Sequence, residues 1–176
     1  VLSDSANRVL GQSDFKSADN NGGLSAASSS SLSSPQGIFF DGTRFFIADT
    51  INNRVLIWAS NPSSNNQAAN IVLGQGSMTE TMPNRGDVAT CSTLSFPTAV
   101  HVNGNRLFVA DSGNNRVLIF KNADTLSTGQ AADFVIGHSN CHETRPNQFN
   151  DTINGINSGT LSNPASVFYD GSDIFI

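Results

Sequence analysis

Two stretches of this chain are copies of each other. Ala48-Asp49-Thr50-Ile51-Asn52-Asn53-Arg54-Val55-Leu56-Ile57-Trp58 returns as Ala110-Asp111-Ser112-Gly113-Asn114-Asn115-Arg116-Val117-Leu118-Ile119-Phe120. The Asp, the Asn-Asn pair, the Arg and the apolar run after it fall in register. A fixed period of this kind marks a repeat architecture. In such a chain one repeat cannot bury its own apolar face and relies on the neighbours stacked against it.

Three further series keep nearly the same spacing, 62 or 63 residues, and two of them lengthen to 67 in the last interval. Ala6-Asn7-Arg8-Val9-Leu10-Gly11-Gln12 returns at Ala69-Asn70-Ile71-Val72-Leu73-Gly74-Gln75 and at Ala132-Asp133-Phe134-Val135-Ile136-Gly137-His138. Leu32-Ser33-Ser34-Pro35 matches Leu94-Ser95-Phe96-Pro97 and Leu161-Ser162-Asn163-Pro164. An apolar run ending in Asp-Gly or Asn-Gly follows each Pro, at Ile38-Phe39-Phe40-Asp41-Gly42, Val100-His101-Val102-Asn103-Gly104 and Val167-Phe168-Tyr169-Asp170-Gly171.

Each repeat reads as four short strands. The first follows the Pro. Asp41-Gly42 predicts a two-residue hairpin with both central residues at positive φ, and Asn103-Gly104 and Asp170-Gly171 predict the same. The second strand, Phe45 to Ala48 or Leu107 to Ala110, is a continuous apolar run of the kind buried on both faces. The third is Val55 to Trp58 or Val117 to Phe120. The fourth is Ile71 to Leu73 or Phe134 to Ile136. No helical periodicity interrupts them. Four antiparallel strands repeated radially make an all-β fold, a β-propeller with four-stranded antiparallel blades. The boundaries run 6–12 for the outer strand of a preceding or closing blade, 35–75 and 97–138 for full blades, and 164–176 for the start of a further blade.

The order Leu-Ser-x-Pro, apolar strand, Asp-Gly, then Phe-Val-Ala-Asp-Ser-Gly-Asn-Asn-Arg-Val-Leu-Ile-Phe resembles the NHL repeat. The added Val-Leu-Gly-Gln strand and the long loop after it resemble a secreted bacterial variety of these propellers. The resemblance implies a ring of roughly six blades, of which this sequence holds about half. It implies no single activity. Ile174-Phe175-Ile176 matches Phe45-Phe46-Ile47, a strand with partners still to come. The expectation is therefore a partial ring, completed by further sequence or by other copies, and insoluble, unfolded or oligomeric when 1–176 stands alone.

Charge narrows the partners. The net charge is −5 and the only lysines are Lys16 and Lys121, so the chain lacks the basic patch that phosphate backbones require and nucleic acid is not expected. No apolar run reaches the ~20 residues of a membrane-spanning helix. A surface of Ser and Asn rather than Lys and Glu suggests an extracellular, cell-surface or periplasmic protein.

Candidate chemistry is sparse. Asp49 with Arg54, and Asp111 with Arg116, read as structural turn pairs, the Asp capping N–H groups of its own turn and the Arg returning to the Asp or to carbonyls of the next blade. Asp111-Ser112-Gly113-Asn114-Asn115 and Asp19-Asn20-Asn21-Gly22-Gly23 lack the further carboxylates of a calcium loop. His101, His138 and His142 occupy no common repeat position, so no zinc centre is expected from them. No metal, no cofactor and no catalytic residue is expected. Cys91 and Cys141 lie in successive long loops leaving one face; a bond between them, free thiols, or pairing outside this sequence all remain open.

The long loops, Ser13 to Ser31, Gly76 to Thr93 and Ser139 to Thr160, are the main functional feature. Connections of this length are commonly functional. They share a rim with Asn52-Asn53 and Asn114-Asn115, with Phe15, Met78, Met82, His142 and Phe149 as anchors for a ligand. The chain reads as a non-catalytic binding or scaffold module that recognises protein or glycan, or other copies of itself. One rival is an enzyme resembling the propeller lyases, lactonases or strictosidine-synthase-like proteins, its catalytic residues in blades outside this sequence. The other is a self-assembling surface or filament subunit.

Overall fold

The computed structural model describes residues 5–147 and 159–176. In it β1 (Gly37–Phe40), β2 (Phe45–Asp49), β3 (Arg54–Trp58) and β4 (Ile71–Leu73) form one antiparallel sheet in chain order. β5 (Pro97–Asn103), β6 (Arg106–Asp111), β7 (Arg116–Phe120) and β8 (Phe134–Ile136) repeat it. β9 (Phe168–Tyr169) and β10 (Ile174–Phe175) form a hairpin in the place of a third. The registers repeat too: Asp49 lies opposite Arg54 and Asp111 opposite Arg116. The chain is all-β, and its four-stranded antiparallel sheets follow one another as blades of a propeller do.

β-Branched and aromatic residues fill the central strands of the two four-stranded sheets because both sides of those strands are covered. β3 and β7 are buried at every position. Phe46, Ala48, Val55 and Ile57 share a core with Leu107, Val109, Leu118 and Phe120 of the second sheet. The alternate residues Phe108, Ala110, Val117 and Ile119 pack instead with Val167. Burying each large side chain stabilises the stack by roughly 1.5–3 kcal/mol. Val100 and Val167 are core residues, whereas Ile38 at the equivalent position of the first sheet is exposed.

The hairpins differ from expectation by one residue. Asp41 N donates to Arg44 O (3.2 Å), which makes Gly42 and Thr43 the central pair. Of these only Gly42 has positive φ, +100°. Asp41 serves as an acceptor, its Oδ1 taking Thr43 N (2.9 Å) and Arg44 N (2.7 Å). Asp170 does the same, and the Asp173 and Ser172 N–H groups hold its carboxyl below the ordinary range.

Each long loop is closed by a parallel bridge, Gly11 to Ser31, Gly74 to Thr93 and Gly137 to Thr160. At Gly74, φ is +88° and an added Cβ would lie 2.6 Å from Leu94 Cδ1. Gly42 has open space around its Cβ position. Gly74→Ala should therefore lower stability by about 1–3 kcal/mol more than Gly42→Ala, from overpacking against Leu94. Equal urea midpoints for the two variants would contradict this packing.

Candidate functional site: the loop face and its buried frame

The turn between second and third strands carries the only buried ion pairs among the described residues. Arg54 Nε donates to Asp49 Oδ2 and Arg116 Nε to Asp111 Oδ2, both at 2.7 Å, with all four side chains fully buried. The Asp does not cap its own turn, as an Asx-turn would. Asp49 Oδ1 accepts Ser33 N at 2.6 Å and Asp111 Oδ1 accepts Ser95 N at 2.7 Å. The Leu-Ser-x-Pro segment leaves the ladder there, with Ser34, Phe96 and Asn163 all left-handed, near φ +48°. Its N–H needs an acceptor, and the buried carboxylate supplies one. Burial raises the Asp111 carboxyl above its ordinary range, opposed by the Arg116 guanidinium and the Ser95 and Asn114 donors.

Each guanidinium then clamps two loops. Arg54 Nη2 donates to Ser28 O (3.0 Å) and Ser31 O (2.9 Å), and its Nη1 to Met78 O beyond the sheet. Arg116 repeats this on Thr90 O (2.9 Å), Thr93 O (2.8 Å) and Cys141 O. The loop from Gly76 to Thr93 is thereby held near its start by Arg54 and near its end by Arg116. The planar, five-donor guanidinium suits this task, and a lysine could not reproduce it.

Asparagines complete the frame. Asn52 Nδ2 donates to Asp49 Oδ2 (2.8 Å) and to Asn21 Oδ1 (2.8 Å). Asn114 treats Asp111 (2.7 Å) and Asn84 (2.9 Å) in the same way. Asn21, Asn84 and Asn147 share left-handed φ, and their N–H groups reach Leu32 O, Leu94 O and Leu161 O. Sequence reasoning missed this series, whose single recurring asparagine per loop is its only signal. Asn53 and Asn115 reach forward: Asn53 Oδ1 accepts Phe96 N (2.8 Å) and Asn115 Oδ1 accepts Asn163 N (2.7 Å).

Of the expected ligand anchors, Phe15, Met82 and His142 are exposed. Met78 is partly buried, packed against the cluster of Leu32, Ile47, Leu56 and Trp58. Phe149 lies outside the described residues. Cys91 and Cys141 are bonded, with Sγ atoms 1.96 Å apart. His101 packs edge-on to Phe39 (centroids 4.9 Å) and its Nε2 bonds Tyr169 O (3.0 Å). His138 Nε2 donates to Asn114 O (3.0 Å), while its Nδ1 and the equivalent Gln75 Oε1 are buried acceptors with no protein partner. Among the described residues, no group of three or more His, Cys, Asp or Glu could hold a metal ion.

Residues 94–120, from Leu94-Ser95-Phe96-Pro97 to the end of β7, match the family described as NHL repeat. No curated protein matches the chain. Among the described residues no helix is long and apolar enough to cross a membrane.

Proposed function

We propose that the chain is part of an NHL-type β-propeller, in a ring of about six blades, that acts as a non-catalytic binding or scaffold module. Its loop face takes a protein or glycan ligand. The observation that carries this reading is the direction of the shared polar residues. The Asp, Arg and Asn side chains that recur in each repeat bond inward, to carbonyls and N–H groups of the loops. They build a rigid rim of loops rather than a reaction centre. The Cys91–Cys141 bond supports an exported protein, because such bonds persist in oxidising compartments. The resemblance to secreted bacterial propellers supports an extracellular, cell-surface or periplasmic setting.

The two lysines make the reading testable. Lys16 lies in the first long loop, and Lys121 follows β7 at the opposite end of its sheet. Amine-reactive cross-linking in the native source, followed by mass spectrometry, should join partners to Lys16 and leave Lys121 unlinked. Partners attached through Lys121 alone would overturn the assignment of the face.

A further inference from the structure

We infer that Ile51, Met82 and Phe96 form the docking site for an apolar side chain of a protein partner, with Arg145 receiving a carboxylate beside it. This rests on the loop-face reading above and names the partner class for that face.

One carboxamide gathers the three residues. Asn53 Nδ2 donates to Ile51 O (3.0 Å) and Thr81 O (2.9 Å), and its Oδ1 accepts Phe96 N (2.8 Å). Three backbone segments therefore meet at a single side chain. The side chains they carry turn outward: Ile51 is 48% exposed, Met82 62% and Phe96 44%. Exposed apolar groups from separate segments held at one point make a patch, and patches of this kind on a polar rim mark interaction sites.

The neighbouring repeats show that folding does not require these side chains. The same frame holds Gly113 where it holds Ile51. It holds Asp19 where it holds Met82: Gln75 Nε2 bonds Met82 O (2.9 Å) just as Gln12 Nε2 bonds Asp19 O (2.7 Å). Arg145 stands two residues before Asn147, as Met82 stands two before Asn84. It holds Ser34 and Asn163 where it holds Phe96. Framing atoms recur while the exposed side chains change, which is how a repeat scaffold separates support from recognition. Phe96 adds an independent sign. Its φ is +48°, a left-handed conformation that aromatic residues rarely adopt and that Ser34 and Asn163 fill more readily. An exposed aromatic held in that conformation points to a demand outside folding.

The chemistry favours a protein side chain over a sugar. A sugar stacked on Phe96 needs polar groups to orient its hydroxyls. The nearby carboxamide of Asn53 is committed to backbone atoms, and Ile51 and Met82 offer no polar group. Met82 is an adaptable apolar contact. The Gly113–Asn115 turn links the patch to Arg145. Gly113 N donates to Ser95 O (2.9 Å) beside Phe96, and Asn115 Nδ2 donates to Thr144 O (2.8 Å) beside Arg145. Arg145 is exposed and makes no ion pair among the described residues. The partner that fits presents an aromatic or aliphatic side chain next to an acidic one.

The test is selection of a random dodecapeptide phage library on the native protein. Enriched peptides should pair an aromatic or leucine residue with a nearby Asp or Glu. The best peptide, made synthetically, should bind about tenfold more weakly to Phe96→Ser and to Met82→Asp, as expected for hot-spot contacts. Both replacements are residues that the frame already carries at Ser34 and Asp19, so the variants should melt as the parent does. Arg145→Ala should weaken binding several-fold at low salt and much less at high salt. No enrichment, peptides without an apolar residue, or unchanged affinity for folded Phe96→Ser would each overturn the inference. A printed glycan array that binds, with partners still cross-linked through Lys16, would leave the loop-face reading standing and this one refuted. Partners linked only through Lys121 would remove both.

Discussion

Replacing Arg116 by Ala should destabilise the protein by roughly 3–5 kcal/mol, because it leaves a fully buried carboxylate without its counter-charge. The loss extends beyond the pair. Thr90 O, Thr93 O and Cys141 O lose their donor together, and the two loops they belong to lose their common anchor. In a chain of this size each kcal/mol lowers Tm by about 2–4 °C, so the melting point should fall by about ten degrees. Arg54→Ala should fall by a similar amount, since Ser28, Ser31 and Met78 repeat the same acceptors. Arg116→Lys should recover only part of the loss, because an ammonium cannot span the fork of acceptors. Urea titration of the variants checks this. A change below about 1 kcal/mol for Arg116→Ala, the level of an exposed pair, would show that the loops are held by something else.

Breaking the Cys91–Cys141 bond should have a comparable effect. The bond joins residues 50 positions apart, and the chain-entropy treatment of a loop that long gives about 4 kcal/mol. The native positions should survive the cut. Ala132 N donates to Cys91 O (2.8 Å) and Arg116 holds Cys141 O, so both backbones are fixed without the sulfur. The preceding repeat shows the arrangement unbridged, with Ala69 N on Ser29 O (2.7 Å) and Arg54 on Met78 O. Reduction should therefore lower the urea midpoint while leaving the folded circular-dichroism spectrum unchanged. Non-reducing mass spectrometry should find one cross-linked peptide pair. Two freely alkylated thiols in native protein, or an unmoved midpoint on reduction, would refute the bond or its contribution.

Strand positions were legible because each strand carries its own local signal. Phe45 to Ala48 and Val55 to Trp58 are apolar runs between turn residues, and a second copy fixes their register. What escaped were contacts that join distant segments. Asp49 looked like the cap of its own turn, since the sequence shows only its neighbours; its carboxylate instead serves Ser33, sixteen residues away. Asn21, Asn84 and Asn147 were invisible because their neighbours differ and one residue per repeat makes no pattern. Met78 looked like a loop anchor, yet its side chain lies partly buried against a core cluster. At Asp41 the residue type was read correctly and its role was not, because a short acid favours turns as an acceptor as well as through φ. Of the patch at Ile51, Met82 and Phe96, only Met82 was singled out in the sequence, and nothing there grouped it with the other two. Their grouping depends on which three segments meet at Asn53.

The asparagine frame also sets how this protein ages. Asparagine loses its amide nitrogen when the next backbone N–H attacks the side chain, a reaction eased by a following glycine and slowed where the backbone is fixed. Asn52, Asn53 and Asn114 are buried and precede Asn53, Arg54 and Asn115, so they are shielded. Asn21 is followed by Gly22 at the exposed edge of its loop. Conversion there to aspartate would replace the amide that faces Asn52 Oδ1 (3.4 Å) with a second acceptor. Among the three asparagines that anchor the loops, Asn21 should convert first, because Asn84 and Asn147 are followed by Arg85 and Gln148 rather than by glycine.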